Sequence, residues 1–259
     1  MQVSMKTNHK SKAILLRSLD YGESDRIVTF FTDEYGKIKG IAKGARRSKR
    51  RFANALESFS SALIVFSRKR NEGLALIEAC DVAEYYPRIR MDLNKMLMAA
   101  YFIELVDQFT LEGKKHEEIF DLLTECLDLL ERDTLSESFA RIFEIRLLKL
   151  LGYEPLMEHC VGCKIPLEQI KQLSFDPTSG GIRCMHCAAD MRKTYPMSVG
   201  TVKLLLLAKN MEIGKIPQLI FSERDREESR KAIASFICHL LGKEPKSLSV
   251  LNEIRRMSF

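Results

Sequence analysis

Four cysteines in two tight pairs, Cys160-Val-Gly-Cys163 and Cys184-Met-His-Cys187, constrain this chain more than any other feature. A two-residue spacer lets both thiolates of a knuckle face one ion about 2.3 Å away, and Gly162 eases the turn that brings backbone N–H groups toward sulfur. The twenty residues between the pairs contain Asp176-Pro-Thr-Ser-Gly-Gly181, a turn that folds the second pair back onto the first. The pattern predicts one tetrahedral Zn2+ on Cys160, Cys163, Cys184 and Cys187, a zinc ribbon or treble-clef-like site. Four thiolates leave no position for an activated water, so the ion is expected to be structural rather than catalytic. His159 and His186 are alternative ligands, with His186 expected to point outward. The other three cysteines, Cys80, Cys126 and Cys238, lie in apolar stretches, which fits buried thiols in a reducing, cytoplasmic compartment.

The 259 residues carry a net charge of +6, but the excess is uneven. Residues 1–79 sum to +8 and residues 80–259 to −2. Such asymmetry points to a polyanionic partner, nucleic acid or an anionic membrane surface. No stretch reaches about 18 consecutive apolar residues and no signal peptide is visible, so neither a membrane span nor secretion is expected.

From Ser11 to about Ala83 the segments are short, β-branched or aromatic, and separated by turn residues, the texture of a small barrel or sandwich. Five strands are predicted: Ala13–Ser18, Ile27–Thr32, Lys37–Ala42, Ala62–Ser67 and Leu74–Cys80, with Asn71-Glu72-Gly73 joining the last pair. Phe52–Phe59 reads as a short helix or a loop. After Tyr85-Tyr86-Pro87 apolar residues recur at helical spacing, which puts the domain boundary near residues 82–88. Residues 96–106 predict a buried helix, and Ile119, Leu122, Leu123, Cys126, Leu127 and Leu130 form the stripe of an amphipathic one. A third helix from about Ser136 is expected to turn Phe139, Ile142, Phe143, Leu147, Leu150 and Leu151 inward and Arg141, Glu144 and Lys149 to water, ending before Gly152. Two more helices follow the cysteine region, one after Ser198 and one from about Ser222 to Gly242. The fold class is therefore α+β: a β domain over 1–82 and a helical domain over 83–259, carrying the zinc-binding insertion at about 158–190.

The segment Gly36–Phe52 holds eight cations and no acid in seventeen positions. Lys37 and Lys39 alternate on a predicted strand and so share one face, a track for phosphates. Lys43, Arg46, Arg47, Lys49, Arg50 and Arg51 follow in a loop able to wrap a nucleic-acid strand. Basic runs also serve as solvated loops, localisation signals or lipid patches. Phe30, Phe31, Tyr35 and Phe52 stand beside the patch as base-stacking faces, although for the first three a place in the core is the better expectation. Arg68-Lys69-Arg70 extends the track.

Several of these stretches closely resemble the RecO family of bacterial recombination mediators. They are Asp20-Tyr-Gly-Glu-Ser-Asp-Arg26, Gly36-Lys-Ile-Lys-Gly-Ile-Ala-Lys-Gly-Ala-Arg-Arg47 with Arg51-Phe52, Leu151-Gly-Tyr-Glu-Pro155, and Phe175-Asp-Pro-Thr-Ser-Gly-Gly181. The resemblance implies an N-terminal OB-fold barrel and a helical domain with the zinc site. It also implies a non-enzymatic role in RecF-pathway repair, in the cytoplasm and associated with the nucleoid. Members bind single- and double-stranded DNA, anneal complementary strands, and work with RecR to load RecA onto DNA coated with single-stranded-DNA-binding protein (SSB). The acidic, apolar C-terminal tail of SSB docks on their helical domain, and RecF is a further possible partner. Two departures stand out: eight extra residues, Met1–Asn8, expected to be disordered or a start-site artefact, and Lys164, where many members have glycine.

Two other classes compete. A transcription or RNA-binding module also combines a basic β domain with a zinc ribbon. An enzyme, such as a nuclease or ligase fragment, is opposed by the absence of a spaced carboxylate cluster, a G-x-x-x-x-G-K-[ST] loop or a nucleophile–base pair.

Overall fold

Alternation of small or polar residues with Ile, Leu, Val and Phe between residues 8 and 84 produces five strands whose inner faces fill one core. They are β1 (Asn8–Tyr21), β2 (Asp25–Thr32), β3 (Gly36–Ala42), β4 (Ser61–Ser67) and β5 (Ala75–Glu84). In this computed structural model they close a barrel in the order β1-β2-β3-β5-β4, with β3 and β5 parallel and the other neighbours antiparallel. That is the barrel alternative of the sequence texture and the OB-fold arrangement that the family resemblance implies. Residues 7–48, 50–52, 55–68, 73–133, 138–188 and 193–257 are described.

Two glycines of the basic segment allow close backbone approaches. A Cβ on Gly40 would lie 2.8 Å from the Ala75 carbonyl and 2.7 Å from the Ile77 side chain, so glycine lets β3 and β5 meet. Gly36, at φ 65°, would place a Cβ 2.0 Å from the Lys114 carbonyl. β1 is longer than predicted at both ends and carries a bulge between Leu15 and Arg17.

The chain divides into two compact units, Met1–Glu131 and Arg132–Phe259. The first adds to its barrel a short helix missed in the sequence, α1 (Pro87–Met91), and then α2 (Leu93–Phe109) and α3 (Glu117–Arg132). Asp92 caps α2 through the N–H groups of Asn94 and Lys95. Tyr101, Phe102, Leu105 and Val106 bury α2 on several sides, whereas α3 buries the expected single stripe.

The second unit contains α4 (Ser138–Leu150), β6 (Leu173–Asp176), β7 (Gly181–Cys184), α5 (Met185–Ala188), β8 (Tyr195–Met197), α6 (Val199–Asn210), α7 (Glu223–Leu241) and α8 (Lys246–Met257). Its sheet has the order β7-β6-β8. Ser198 caps α6, Ser222 and Asp225 form a capping box on α7, and Gly242 at φ 67° ends α7, all at the expected positions.

One expectation for α4 fails. Arg141 and Glu144 do not face water: they are 3% and 0% exposed and pair at 2.5 Å, with Arg141 also donating to the Arg230 carbonyl. A helix covered on several sides leaves no solvent for its polar positions, and an (i, i+3) pair is the arrangement that tolerates such burial. Arg146 donates to the carbonyls of Ala208 and Met211, closing the C-terminal end of α6. α8 was missed in the sequence although Leu248, Leu251 and Ile254 recur at helical spacing, and Leu248 is buried. No helix among the described residues is long and apolar enough to cross a membrane.

Candidate metal centre and nucleic-acid interface

The two knuckles reach one point because the β6–β7 hairpin delivers the second pair to a loop stitched along β7. Leu156 N–H donates to the Gly180 carbonyl, Ile182 N–H to Leu156, and Val161 N–H to Ile182, each at 2.9 Å. Gly181 permits this approach, since a Cβ there would lie 2.7 Å from the Leu156 carbonyl and 2.5 Å from Val161. At the hairpin turn the buried Asp176 carboxylate accepts from Thr178 N–H (3.0 Å), Ser179 Oγ (2.6 Å) and Arg183 Nε (2.8 Å). Burial alone would raise its pKa, but the bonds from Ser179 and Arg183 hold it below the usual carboxylate range.

The Sγ atoms of Cys160, Cys163, Cys184 and Cys187 all lie within 4.8 Å of one another and can hold one metal ion. Gly162 has a sharper purpose than easing a turn: a Cβ there would lie 2.9 Å from Cys187 Sγ. Burial would push the Cys160 thiol up, but backbone N–H groups of Cys184, Cys163 and Gly162 bring it down to about 6. The Cys187 thiol is pushed up to about 12 because it hydrogen-bonds to the sulfurs of Cys163 and Cys184. Four thiols so close do not all ionise unaided, and a dication is what allows them to. His186 is exposed and neither it nor His159 belongs to the cluster. The four-sulfur set fits a closed tetrahedral ion, and the residue after the first knuckle, Lys164, sits in the left-handed region at φ 64°.

The basic segment is less uniform than its sequence suggests. Lys39, Lys43, Arg46, Arg47, Arg50 and Arg51 are exposed, whereas Lys49 lies outside the described residues. Lys37 does share a face with Lys39, but its ammonium donates to the Asp107 carbonyl at 2.5 Å and lies 3.1 Å from the Asp107 carboxylate. Arg17 also pairs with Asp107, so this acid of α2 ties two barrel strands to the helix. The loop after β3 is shaped by its own contacts: Arg51 donates to the Lys43 carbonyl at 3.0 Å and Gly44 turns at φ 67°. Arg68 pairs with Glu112 at 2.8 Å, and Lys69 and Arg70 fall outside the described residues.

Stacking aromatics are not where the sequence offered them. Phe30 and Phe31 are fully buried, Phe52 is 4% exposed in the barrel core, and Tyr35 packs against His9 and Phe66. The outer face of β1-β2-β3 instead aligns Leu19, Ile27 and Ile41 in one cross-strand row, beside a row of Arg17, Thr29 and Lys39. Leu19 is 64% and Tyr21 55% exposed on this face. The sequence reading missed them because it ended β1 at Ser18; alternation carried three residues further was the available signal. An apolar row bordered by cations suits bases on one side and phosphates on the other.

Residues 5–86 match the family described as "Recombination protein O N terminal" and residues 90–249 the one described as "Recombination protein O C terminal". A protein named DNA repair protein RecO from Syntrophus aciditrophicus (strain SB) is 43% identical over 260 residues, covering 98% of this chain and 99% of the relative. Proteins of the same name from Desulfatibacillum aliphaticivorans and Geobacter metallireducens (strain ATCC 53774 / DSM 7210 / GS-15) are each 36% identical, covering 96% and 95% of this chain and 98% and 97% of the relatives.

Proposed function

The chain belongs to the RecO family of DNA repair proteins, and from that premise we propose that it is a non-catalytic recombination mediator: it anneals complementary single strands and helps load RecA onto SSB-coated single-stranded DNA. One observation carries the reading, a cluster of exposed cations, Lys39, Lys43, Arg46, Arg47, Arg50 and Arg51, on a closed OB barrel. With Lys49 they make the proposed DNA-binding set, to which Lys37 contributes by holding β3 to α2 through Asp107 rather than by meeting phosphate, with residues 1–82 as the binding domain and 83–259 as the helical domain that carries the metal. Phosphates of two strands are neutralised together, which lowers their mutual repulsion while complementary bases find register. No base-specific readout is required.

Zn2+ is the ion we assign to the four cysteines, because a closed thiolate set favours it and gives it a structural task; an iron–sulfur cluster is the other occupant of such a set. When bound it supplies charge for four thiolates and no reaction chemistry. RecR, the SSB tail and RecF complete the proposed set of partners, in the cytoplasm at the nucleoid.

The test is the rate at which the pure protein pairs two complementary oligonucleotides, naked and then SSB-coated, at near-physiological salt. Acceleration in both cases is expected. Acceleration in neither, with a preference for one duplex sequence or for structured RNA, would move the chain to the transcription or RNA-binding class. Magnesium-dependent cleavage by the pure protein would make it an enzyme.

A further inference from the structure

The motif Asp20-Tyr-Gly-Glu-Ser-Asp-Arg26 places three acids beside the most basic loop of the chain. Folded, it is the tip of the β1–β2 hairpin, and its acids meet the loop in two ways. Asp25 Oδ1 accepts the Gly44 N–H at 2.8 Å, and the Ser24 carbonyl accepts the Arg46 N–H at 3.0 Å, so two backbone bonds set the loop's course. The bond from Gly44 is also what holds the Asp25 carboxyl below its usual range. Asp20 and Glu23 instead reach side chains: Asp20 Oδ2 lies 3.5 Å from Arg46 Nε, and Glu23 Oε2 lies 3.7 Å from Arg47 Nη2. Asp20 is 54% and Glu23 93% exposed, and exposed pairs of this length exchange readily with ions from solution. Arg46 Nη1 is also 3.5 Å from the Glu23 carbonyl, so its guanidinium is already oriented by oxygen acceptors.

We infer that Asp25 is a positioning residue for the loop, and that Asp20 and Glu23 stand in for phosphate, holding Arg46 and Arg47 ready until a strand displaces them. This rests on the DNA-binding reading above. A tethered carboxylate competes with every incoming phosphate, so it lowers affinity and shortens the stay of a strand on the loop. An annealing surface gains from that competition, because strands that exchange can search for register.

The test uses the full chain and fluorescently labelled oligo(dT), with binding read by anisotropy at near-physiological salt and folding checked by thermal melting. Glu23→Gln is expected to tighten binding by about two- to fivefold, and Asp20→Asn similarly, although Asp20 also pairs with Arg26 at 3.1 Å. In an Arg47→Ala background the gain from Glu23→Gln should shrink to less than about 1.5-fold, because its partner is gone. Asp25→Ala, which removes the same charge but also the acceptor for Gly44, should weaken binding, and Asp25→Asn should restore it. An equal gain with and without Arg47 would mean that Glu23 merely repels DNA through space, and would overturn the inference. So would no gain from either acid, or tighter binding by Asp25→Ala. Absence of oligonucleotide binding by the unaltered chain would instead sink the DNA-binding reading itself.

Discussion

The cysteine hairpin and the basic segment differ in how strictly position decides task. Around the hairpin, four side chains from two knuckles, one in the loop before β6 and one at the end of β7, meet within 4.8 Å, and replacing any one of them removes a ligand from the same point. In the basic segment, two lysines on one strand face diverge: Lys37 is tied to Asp107 of α2, while Lys39 is exposed. A metal site imposes one geometry on all its members, whereas a positive charge is satisfied by any acid, carbonyl or phosphate within reach. Like-looking cations can therefore be divided between architecture and binding, and like-looking cysteines cannot.

The largest expected effect is loss of the ion from the cysteine site. Removing the metal with a chelator, or substituting Cys160→Ser, is expected to cost about 3 kcal/mol or more and to lower Tm by roughly 10 °C. Metal analysis should find one zinc per chain before treatment. Oligonucleotide affinity at temperatures where the chain stays folded should hardly change, because the exposed cations are on the barrel. A melting temperature indifferent to the ion would end the structural assignment.

The next largest effect lies inside the basic segment. Gly36→Ala forces a Cβ to 2.0 Å from the Lys114 carbonyl at a backbone angle that L-residues rarely adopt, and should cost about 3 kcal/mol or more in denaturant unfolding. If Gly36→Ala leaves stability intact while abolishing DNA binding, the glycine serves the ligand and not the fold.

These two regions also show what was legible in the residues. Strand and helix textures, the capping residues Ser198, Ser222 and Gly242, and the meeting of the four cysteines all follow from rules that act over a few positions. Tertiary partners do not. Nothing near Lys37 announces Asp107, far along the chain on α2, and nothing near Arg141 announces that its turn of α4 is buried. The extension of β1 to Tyr21 was legible and missed, because past the bulge between Leu15 and Arg17 the residues Arg17, Leu19 and Tyr21 resume the alternation on one face.

A matched pair of substitutions sharpens the division of labour on β3. Lys37→Ala should cost about 1–2 kcal/mol, since the Asp107 carboxylate is only 8% exposed and keeps, among the described residues, only Arg17 as its cation, and should leave DNA affinity nearly unchanged. Lys39→Ala should do the reverse, weakening oligonucleotide binding a few-fold with no change in unfolding midpoint. Replacing Arg46, Arg47, Arg50 and Arg51 together should flatten the salt dependence of binding, by roughly 0.7 in log–log slope for each phosphate that is no longer neutralised. Equal effects of the two lysines on binding would show that the clasp with Asp107 opens when DNA arrives.

The smallest expected effect belongs to Lys164, and it tests the rule of strict geometry at the end of the first knuckle. Its φ of 64° follows from the knuckle itself: Lys164 N–H donates to the Cys160 carbonyl and Cys160 N–H to the Ile165 carbonyl, each at 2.9 Å, so the chain must reverse at this residue. A lysine pays roughly 1 kcal/mol or more for that conformation, and glycine does not, though glycine surrenders more freedom on folding. The balance predicts that Lys164→Gly raises stability by about 0.5 kcal/mol, visible as about one or two degrees in Tm at constant zinc content. Lys164→Asn separates backbone from charge, because asparagine also loses the cation yet tolerates the left-handed region better than lysine. If both variants stabilise, the strain is in the backbone; if Lys164→Gly destabilises while zinc stays bound, the lysine side chain has a task of its own beside the knuckle, and even this hairpin holds a residue whose role its position does not decide.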